Sequence, residues 1–398
     1  MECVLLALLL LAPAEGASVV LGVDRLERDG FAPLRGKRVG LICNQTSVDS
    51  RGVPTRLILQ RALGRDLVAL FAPEHGIDGR APAGRYISTT RDRITGLPVF
   101  SLYAATRKPA PWMLRDIDVL VYDLQDIGAR SYTYISTMAL AMEACGQNGK
   151  QFVVLDRPNP LGGQRVQGPP LERRWKSFVG QVPVPYLHGL TTGELAQMIN
   201  AEGWNERRCR LTVVPMLGWQ RWMTWTDTGL RWVPTSPNIP KNISPLFYAT
   251  TGILGGFDGV DIGIGTSGPF EVAGGRGIDP NFFTEKLRRL NTPGVAFYPY
   301  RSSRKAGFAG SRIVIDPHTP TDLLALAVGL VYEVNKDSRG APLRQTRGDT
   351  LTLFHKVYGS DSLYHQLRAG RSPGTIIAGW QRPNQSFRSR RQRYLLYK

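Results

Sequence analysis

The chain has 398 residues, of which 42% are hydrophobic and 21% are charged. This length allows two or three domains with sizeable cores, and this balance excludes extensive disorder. The formal net charge of +18, from 50 Lys and Arg against 32 Asp and Glu, favours polyanionic partners such as nucleic acid, anionic lipid or the anionic polymers of a cell envelope.

Residues 1–17 have the pattern of a signal peptide. The apolar run from Val4 to Leu11 is too short to span a bilayer, and small residues follow it, with cleavage expected after Ala14 or Ala17. The alternative is a buried N-terminal strand. We expect a periplasmic or secreted bacterial protein without a stable membrane anchor, and for such a protein nucleic acid is in the wrong compartment.

Apolar segments of strand length then alternate with segments of helical spacing. This alternation predicts a mostly parallel sheet covered on both faces, as in a Rossmann-like α/β domain over residues 18–239. The strand-like segments are "RVGLIC", "LVALFA", "LPVFSLY", "DVLVYD" and "QFVVLD". In the remainder, "NFFTEKLRRLN", "SRIVIDP" and "TDLLALAVGLVYEVN" predict a smaller C-terminal α/β domain over residues 240–398.

Polar and charged side chains follow one predicted strand after another. Because the carboxyl ends of parallel strands lie along one edge of a sheet, where ligands bind, we expect these side chains to converge. They are Glu74, His75, Asp126, Arg130, Asp156 and Arg157. For Asp156, and for Asp123 at another strand end, a purely structural role is the alternative, in which the carboxylate only tethers a neighbouring loop.

Several local patterns favour structural roles. Thr191 and Glu194 have capping-box spacing before a helix. The sequence "GIGTSG" is followed by Pro269 where a dinucleotide-binding helix would begin, so it predicts a glycine-rich loop without a nucleotide. The tryptophan-rich segment 217–240 suits either a sugar-stacking lid or an inter-domain seam. The basic cluster near the end of the chain is interpreted as a solvated rim.

The sequence predicts neither a metal nor a cofactor. Cys43, Cys145 and Cys209 are scattered, without metal-ligand spacing, and are expected to be free and buried. Motifs for serine nucleophiles, phosphate-binding loops and zinc hydrolases are missing from the sequence. The remaining carboxylates, histidines and arginines suit general acid–base chemistry on a polar, anionic substrate, and glycoside cleavage is the reaction that carboxylates most often perform alone.

Long blocks of the sequence resemble a known family. They are "FAPEHGIDG", "GLPVFSLY", "YDLQDIGARSYTYISTM", "VVLDRPNPLGG", "SFVGQVPVPYLHGLTTGELA" and "SPNIP". These blocks are similar to those of the exo-β-N-acetylmuramidases of the NamZ type, and the resemblance spans nearly all of the chain after the signal peptide. It implies a Rossmann-like N-terminal domain and a smaller C-terminal domain that closes the cleft holding the active site. It also implies release of N-acetylmuramic acid from the non-reducing end of peptidoglycan fragments.

The resemblance also implies site residues. Glu74 of "PEHG" is the expected general acid, while His75 and Asp126 complete the catalytic group and Arg130 or Arg157 pairs with the lactyl carboxylate. The remaining expected contacts to the muramyl sugar are Asn44, Gln125, Tyr134, Asn159, His188 and Asn238. The blocks leave open whether a protein carboxylate or the substrate's own acetamido group assists the reaction.

One position departs from the family pattern. Gly256 stands where many relatives carry a glutamate, and Asp258 or Asp261 is a candidate substitute. The alternative hypothesis is therefore a non-catalytic binder of muramyl fragments. The sequence predicts no oligomeric state, and His318, His355 and His365 have no partner motif.

Overall fold

The computed structural model describes residues 19–82 and 84–398. The predicted signal peptide lies outside the described residues. Thirteen strands occur within them. They are β1 Val39–Cys43, β2 Leu67–Ala72, β3 Thr90–Arg91, β4 Pro98–Ser101, β5 Val119–Asp123, β6 Gln151–Leu155, β7 Gln167–Pro170, β8 Pro185–Leu187, β9 Arg210–Val214, β10 Val260–Asp261, β11 Val272–Arg276, β12 Val295–Arg301 and β13 Phe308–Ile315.

The described residues also form eleven α-helices. They are α1 Gly22–Arg28, α2 Thr55–Leu63, α3 Tyr134–Gln147, α4 Thr192–Glu202, α5 Ser244–Thr251, α6 Pro280–Arg288, α7 Leu323–Asp337, α8 Ala341–Gln345, α9 Gly348–Tyr358, α10 Ser362–Arg368 and α11 Pro373–Arg391. None of these described helices is long and apolar enough to cross a bilayer.

Seven strands form the larger sheet, in the order β3-β4-β2-β1-β5-β6-β9. All neighbours are parallel except the short edge strand β3, which pairs antiparallel with β4. The chain adds strands on one side of β1 and then returns to place β5, β6 and β9 on the other. This is the strand order of the Rossmann fold, with its reversal between β1 and β5, and it confirms the predicted fold class.

Helices cover both faces of this sheet, and because alternate residues of each strand point to opposite sides, each strand contributes to two cores. In β6, Phe152 and Val154 pack with helices α3 and α4 in one hydrophobic cluster. Val153 and Leu155 pack with α1 and α2 in another. A near-continuous apolar strand therefore serves two cores, which is what its sequence predicts.

The second sheet has the order β10-β11-β13-β12 and is antiparallel throughout. β12 and β13 are joined by residues 302–307, and a connection this short cannot make a parallel crossover. Helices α5, α6 and α7 pack around this sheet, and α8 to α11 complete the second half. One hydrophobic cluster includes residues of both halves, such as Tyr186 and Tyr358.

Candidate active site

The carboxyl ends of four parallel strands lie side by side. Register pairs place Cys43 of β1 opposite Asp123 of β5, and Ile42 beside Phe71 of β2. The residues that follow β1, β2, β5 and β6 therefore meet at one edge, as the sequence predicts. Their side chains nevertheless differ in burial and in hydrogen-bond partners.

Glu74 follows β2 and is held from two directions. Its Oε1 accepts a hydrogen bond from the backbone N–H of Gly84 at 3.0 Å, and its Oε2 accepts one from the Thr133 hydroxyl at 2.6 Å. The side chain of Tyr103 is also close, since burial together with the charge of Glu74 raises the pKa of Tyr103 to about 12. Glu74 is 8% exposed, so its side chain is largely enclosed, and the two hydrogen bonds fix the direction of its carboxyl group.

His75 fixes the loop that covers this edge. Its backbone has φ +70°, a left-handed conformation that is uncommon outside glycine. Its Nδ1 lies 2.7 Å from the carbonyl oxygen of Ala81, so that nitrogen carries the proton and donates it. The strained backbone and this hydrogen bond turn the chain back over the end of β2. His75 is thus placed to position the Glu74 loop.

Asp126 is a buried carboxyl group with one unsatisfied oxygen. Its Oδ2 accepts a hydrogen bond from Gly128 N–H at 2.7 Å, whereas Oδ1 has no partner among the described residues. Burial raises its pKa to about 7, although the backbone N–H groups of Gly128 and Ile127 oppose the shift. A carboxyl group of this kind is largely protonated at slightly acidic pH and can then donate a hydrogen bond.

A cluster of tyrosines lies between the two carboxyl groups. Tyr132 contacts Tyr134 and Tyr248, with ring centroids 4.9 and 6.0 Å away. After burial, the charge of Asp126 contributes to the raised pKa of Tyr132, and that of Glu74 contributes for Tyr134 and Tyr248. Glu74 and Asp126 thus belong to one electrostatic neighbourhood. Tyr248 lies on α5, so this neighbourhood includes a residue from the second half of the chain.

Asn44 and Tyr134 are fully engaged in this region. The Asn44 amide donates to the Tyr134 hydroxyl at 2.8 Å, and that hydroxyl donates to the carbonyl of Thr235 at 2.7 Å. The Asn44 oxygen accepts from the N–H and the hydroxyl of Thr46. These contacts clamp the segment around Thr235 over the end of β1, so the geometry assigns both residues to support of the edge.

Arg130 requires a correction. Its side chain is 0% exposed, and its guanidinium donates to the carbonyl oxygens of Pro169, Val184 and Tyr358. The prediction that Arg130 pairs with a substrate carboxylate is therefore wrong in this structure. The residue instead fastens the β7–β8 hairpin to the end of α9. Burial lowers its pKa to about 10.

Arg157 is also occupied, but it borders a cavity. Its guanidinium pairs with Asp123 at 2.5 and 2.9 Å and donates to the Val48 carbonyl, so Asp123 tethers rather than reacts. The cavity, of about 220 Å³, lies at the reversal between β1 and β5. Gln125 lines it with a buried Oε1 that has no partner among the described residues.

Tryptophans close the other side of this cavity. Trp225 and Trp232 line it and meet edge to face with centroids 4.8 Å apart. Elsewhere in the same segment, Trp219 packs against Tyr397 near the end of the chain. One part of the segment thus lines the cavity, and another part packs against the C-terminal end of the chain. Asn238, just beyond the cavity wall, is half-buried.

The remaining predicted contacts are internal. Asn159 donates to the Leu190 carbonyl and accepts from Leu161 N–H. His188 is buried, and its Nδ1 accepts from Leu190 N–H, so Nε2 carries the proton and has no partner among the described residues. Burial, with help from the positive charges of Arg391 and Arg130, lowers the pKa of His188 to about 3. His188 is therefore neutral at physiological pH.

Asp156 is buried at the start of helix α4. It accepts hydrogen bonds from Thr191, Thr192, Gly193 and Tyr397. The tethering alternative therefore describes this residue. The predicted capping box is confirmed as well, since Thr191 and Glu194 exchange both hydrogen bonds.

Gly256 lies in a short turn against helix α9. A Cβ atom built there would be 2.9 Å from the ring of Phe354, so the site as folded has no room for a longer side chain without repacking. Asp261 accepts from Gly263 N–H and from the Tyr300 hydroxyl, which makes it part of the glycine-rich loop. Asp258 is exposed.

Sequence reasoning missed several residues around Glu74. Thr133, Tyr103 and Tyr248 surround its carboxylate, and Arg107 lies over the Tyr103 ring. Of these, only Tyr103 carried a usable signal, because it follows the end of a predicted strand. The described residues contain no group of three or more His, Cys, Asp or Glu side chains able to hold a metal ion. Cys43, Cys145 and Cys209 are free and buried, as predicted.

Comparisons with known proteins give one consistent result. Models of the N- and C-terminal domains of the exo-β-N-acetylmuramidase NamZ match residues 39–243 and 246–397. The peptidoglycan β-N-acetylmuramidase NamZ of Bacillus subtilis is 39% identical, over 96% of this chain and 92% of that protein.

Two solved structures from Bacteroides fragilis are also similar. Both are described as DUF1343 family proteins. One has a TM-score of 0.90 and 40% identity, and the other has a TM-score of 0.72 and 29% identity. Each comparison covers 96% of this chain and 99% of the solved one.

Proposed function

The chain belongs to the NamZ family of exo-β-N-acetylmuramidases, and from this premise we propose that it is a glycoside hydrolase that releases N-acetylmuramic acid from the non-reducing end of peptidoglycan fragments. The observation that carries the proposal is a family match over both halves of the chain, with the Glu74 carboxylate at the edge that both halves enclose. We further propose that it acts in the periplasm or outside the cell.

Glu74 is the proposed general acid. Its two hydrogen bonds, from Thr133 and from Gly84, fix the direction of the carboxyl group, and positioning of this kind is what proton transfer to a glycosidic oxygen requires. The proton leaves Glu74 as the bond from the anomeric carbon to the leaving oxygen breaks. The leaving sugar departs with that proton as a hydroxyl group.

Asp126 is the proposed orienting group. Its raised pKa, about 7, and its unpartnered Oδ1 leave a carboxyl group that can donate a hydrogen bond to a sugar substituent. The acetamido group of the substrate is one such substituent. In a substrate-assisted reaction its oxygen attacks the anomeric carbon as the bond to the leaving oxygen breaks, and water then opens the resulting oxazolinium ion, returning a proton to Glu74 and giving N-acetylmuramic acid. Direct attack by water is the other route open to this arrangement.

The test is hydrolysis of an aryl β-N-acetylmuraminide by the wild-type protein and by Glu74→Gln. Loss of a positioned general acid lowers kcat about 100- to 10,000-fold. The matched control is Glu202→Gln, a carboxylate on α4 that pairs with Arg393 and Tyr394 instead. The control is expected to retain wild-type kcat.

Two results would contradict the proposal. Normal turnover by Glu74→Gln removes Glu74 from the mechanism. Binding of N-acetylmuramic acid by the wild-type protein, without any product after long incubation, favours the alternative of a non-catalytic binder that the departure at Gly256 suggests.

A further inference from the structure

Arg107 lies over two adjoining aromatic rings, and one of them, Tyr103, is beside Glu74. Its guanidinium carbon lies 4.4 Å from the centroid of the Tyr103 ring and 4.6 Å from that of Phe178. The two rings are themselves 5.7 Å apart and inclined at 53°. A guanidinium that contacts two rings is attracted to both and loses much of its freedom to move.

The hydrogen-bond donors of this guanidinium are free. Among the described residues, Arg107 has neither a hydrogen-bond acceptor nor a carboxylate partner, although it is only half-exposed. The next residue shows the usual alternative, since Lys108 pairs with Glu143 at 2.9 Å. Arg107 therefore presents a positioned, unneutralised cation with a planar array of donors.

Tyr103 links this cation to the candidate general acid. The ring of Tyr103 carries Arg107 on its face, while its hydroxyl interacts with the carboxylate of Glu74. Arg107 and Glu74 thus neighbour the same tyrosine, Arg107 at its ring and Glu74 at its hydroxyl, an arrangement that suits a substrate with both a reacting bond and an anionic group.

The other arginines expected to fill this role are already used. Arg130 donates to three backbone carbonyls in the interior, and Arg157 forms a bidentate pair with Asp123. A substrate carboxylate at either one would have to displace existing partners. At Arg107 it would displace only water.

We propose that Arg107 binds the lactyl carboxylate of the muramyl residue and so makes the enzyme select muramic acid over glucosamine. This inference rests on the proposed function. The two sugars differ in the lactyl ether at O3, on the carbon two ring bonds away from the anomeric carbon. The guanidinium fork matches a carboxylate with two parallel hydrogen bonds, and Glu74 then faces the glycosidic oxygen.

The test compares two substrates that differ only in charge. They are an aryl β-N-acetylmuraminide and the same compound with its lactyl group as a methyl ester. Wild type is expected to prefer the acid. Arg107→Met, which preserves packing against the two rings, is expected to lose about 10- to 100-fold in kcat/KM on the acid and little on the ester. Arg107→Lys retains the charge without the planar pair of donors, and its kcat/KM on the acid is expected to lie between those of wild type and Arg107→Met.

Arg390→Met is the matched control. Arg390 also lies over two rings, those of Trp204 and Phe387 at 5.7 and 5.9 Å, beyond the far end of α4. It is expected to preserve the preference for the acid. An Arg107→Met enzyme with an unchanged acid-to-ester ratio overturns the inference.

Failure of the inference is distinguishable from failure of the proposed function. If the wild-type protein hydrolyses neither compound, the proposed function fails, and calorimetry with free N-acetylmuramic acid then decides the role of Arg107. Equal affinity of wild type and Arg107→Met overturns the inference there, and weaker binding by the variant alone supports it.

Discussion

At the residue scale, three buried aspartates at strand ends have different partners. Asp123 is paired with Arg157, and Asp156 accepts hydrogen bonds from three residues at the start of α4, from Tyr397 and from the Arg157 N–H. Among the described residues, Asp126 has no cation partner, and one of its oxygens has no hydrogen-bond partner. A buried carboxyl group without a counter-charge favours its neutral form. For Asp126, burial without a counter-charge raises the pKa to about 7.

The raised pKa of Asp126 predicts a dependence of stability on pH. Its pKa is about 7 in the folded protein and about 3.9 in an unfolded chain, so the folded state holds the extra proton between these values. This contribution is complete below about pH 4 and is lost as the pH rises through 7, by on the order of 4 kcal/mol. Asp126→Asn is therefore expected to gain stability relative to wild type as the pH rises from 4 to 8, measured by urea unfolding.

The contribution of His188 to stability changes with pH in the opposite direction to that of Asp126. Its pKa is lowered to about 3, so its contribution is complete above about pH 6.5 and is lost as the pH falls toward 3. Because both proteins retain His188, its effect cancels in the difference between wild type and Asp126→Asn. A difference that stays constant from pH 4 to 8 would contradict the assignment to Asp126.

At the element scale, helix α4 shows how a strand end and a helix start are joined. Thr191 accepts from Glu194 N–H at 3.2 Å and donates to Asp156 at 2.7 Å. One side chain thus caps the helix and satisfies a buried carboxyl group at the end of β6. Capping alone is worth about 1 kcal/mol, and the lost hydrogen bond to the buried carboxyl group of Asp156 adds about 1 to 2 kcal/mol.

Thr191→Ala is expected to lower the free energy of unfolding by about 2 to 3 kcal/mol, since it removes both contacts. Urea unfolding measures this loss. Ser372→Ala is the matched control, because Ser372 caps α11 at an exposed position, with 3.3 Å to Thr375 N–H, and touches no buried carboxylate. Equal losses in the two variants would show that the contact with Asp156 contributes nothing.

At the scale of the whole molecule, the end of the chain binds the first half. Tyr397 donates from its hydroxyl to Asp156 at 2.5 Å and accepts from Met216 N–H at 2.9 Å. Nearby, Arg391 donates to the carbonyls of His188 and Gly189. The C-terminal segment thus joins the second half of the chain to the edge of the parallel sheet.

Tyr397→Phe is expected to destabilise the whole protein by about 2 kcal/mol, because two buried groups lose a hydrogen-bond partner. Thermal unfolding followed by circular dichroism measures this effect. Tyr394→Phe is the control, since its hydroxyl donates to Glu202 at 2.7 Å near the surface, and a change within about 0.5 kcal/mol is expected there. A Tyr397→Phe protein as stable as this control would contradict the role of the tail.

The sequence by itself determined the local structure and the family. Apolar runs such as "LVALFA" became buried strands, the Thr191 capping box formed as its spacing predicts, and the scattered cysteines are free. These features depend on periodicity and short-range hydrogen bonds, which residues close in sequence set among themselves. The family blocks extend over both halves for the same reason, because each is a continuous stretch.

Only the tertiary structure decided the direction and partners of each polar side chain. Arg130 looked like a substrate ligand, yet its acceptors at 169, 184 and 358 come from distant segments. Arg107 carried no motif, and the Phe178 ring that holds it is 71 positions further along the chain. A buried donor goes wherever packing leaves an unpaired acceptor, and that depends on which segments the fold brings together.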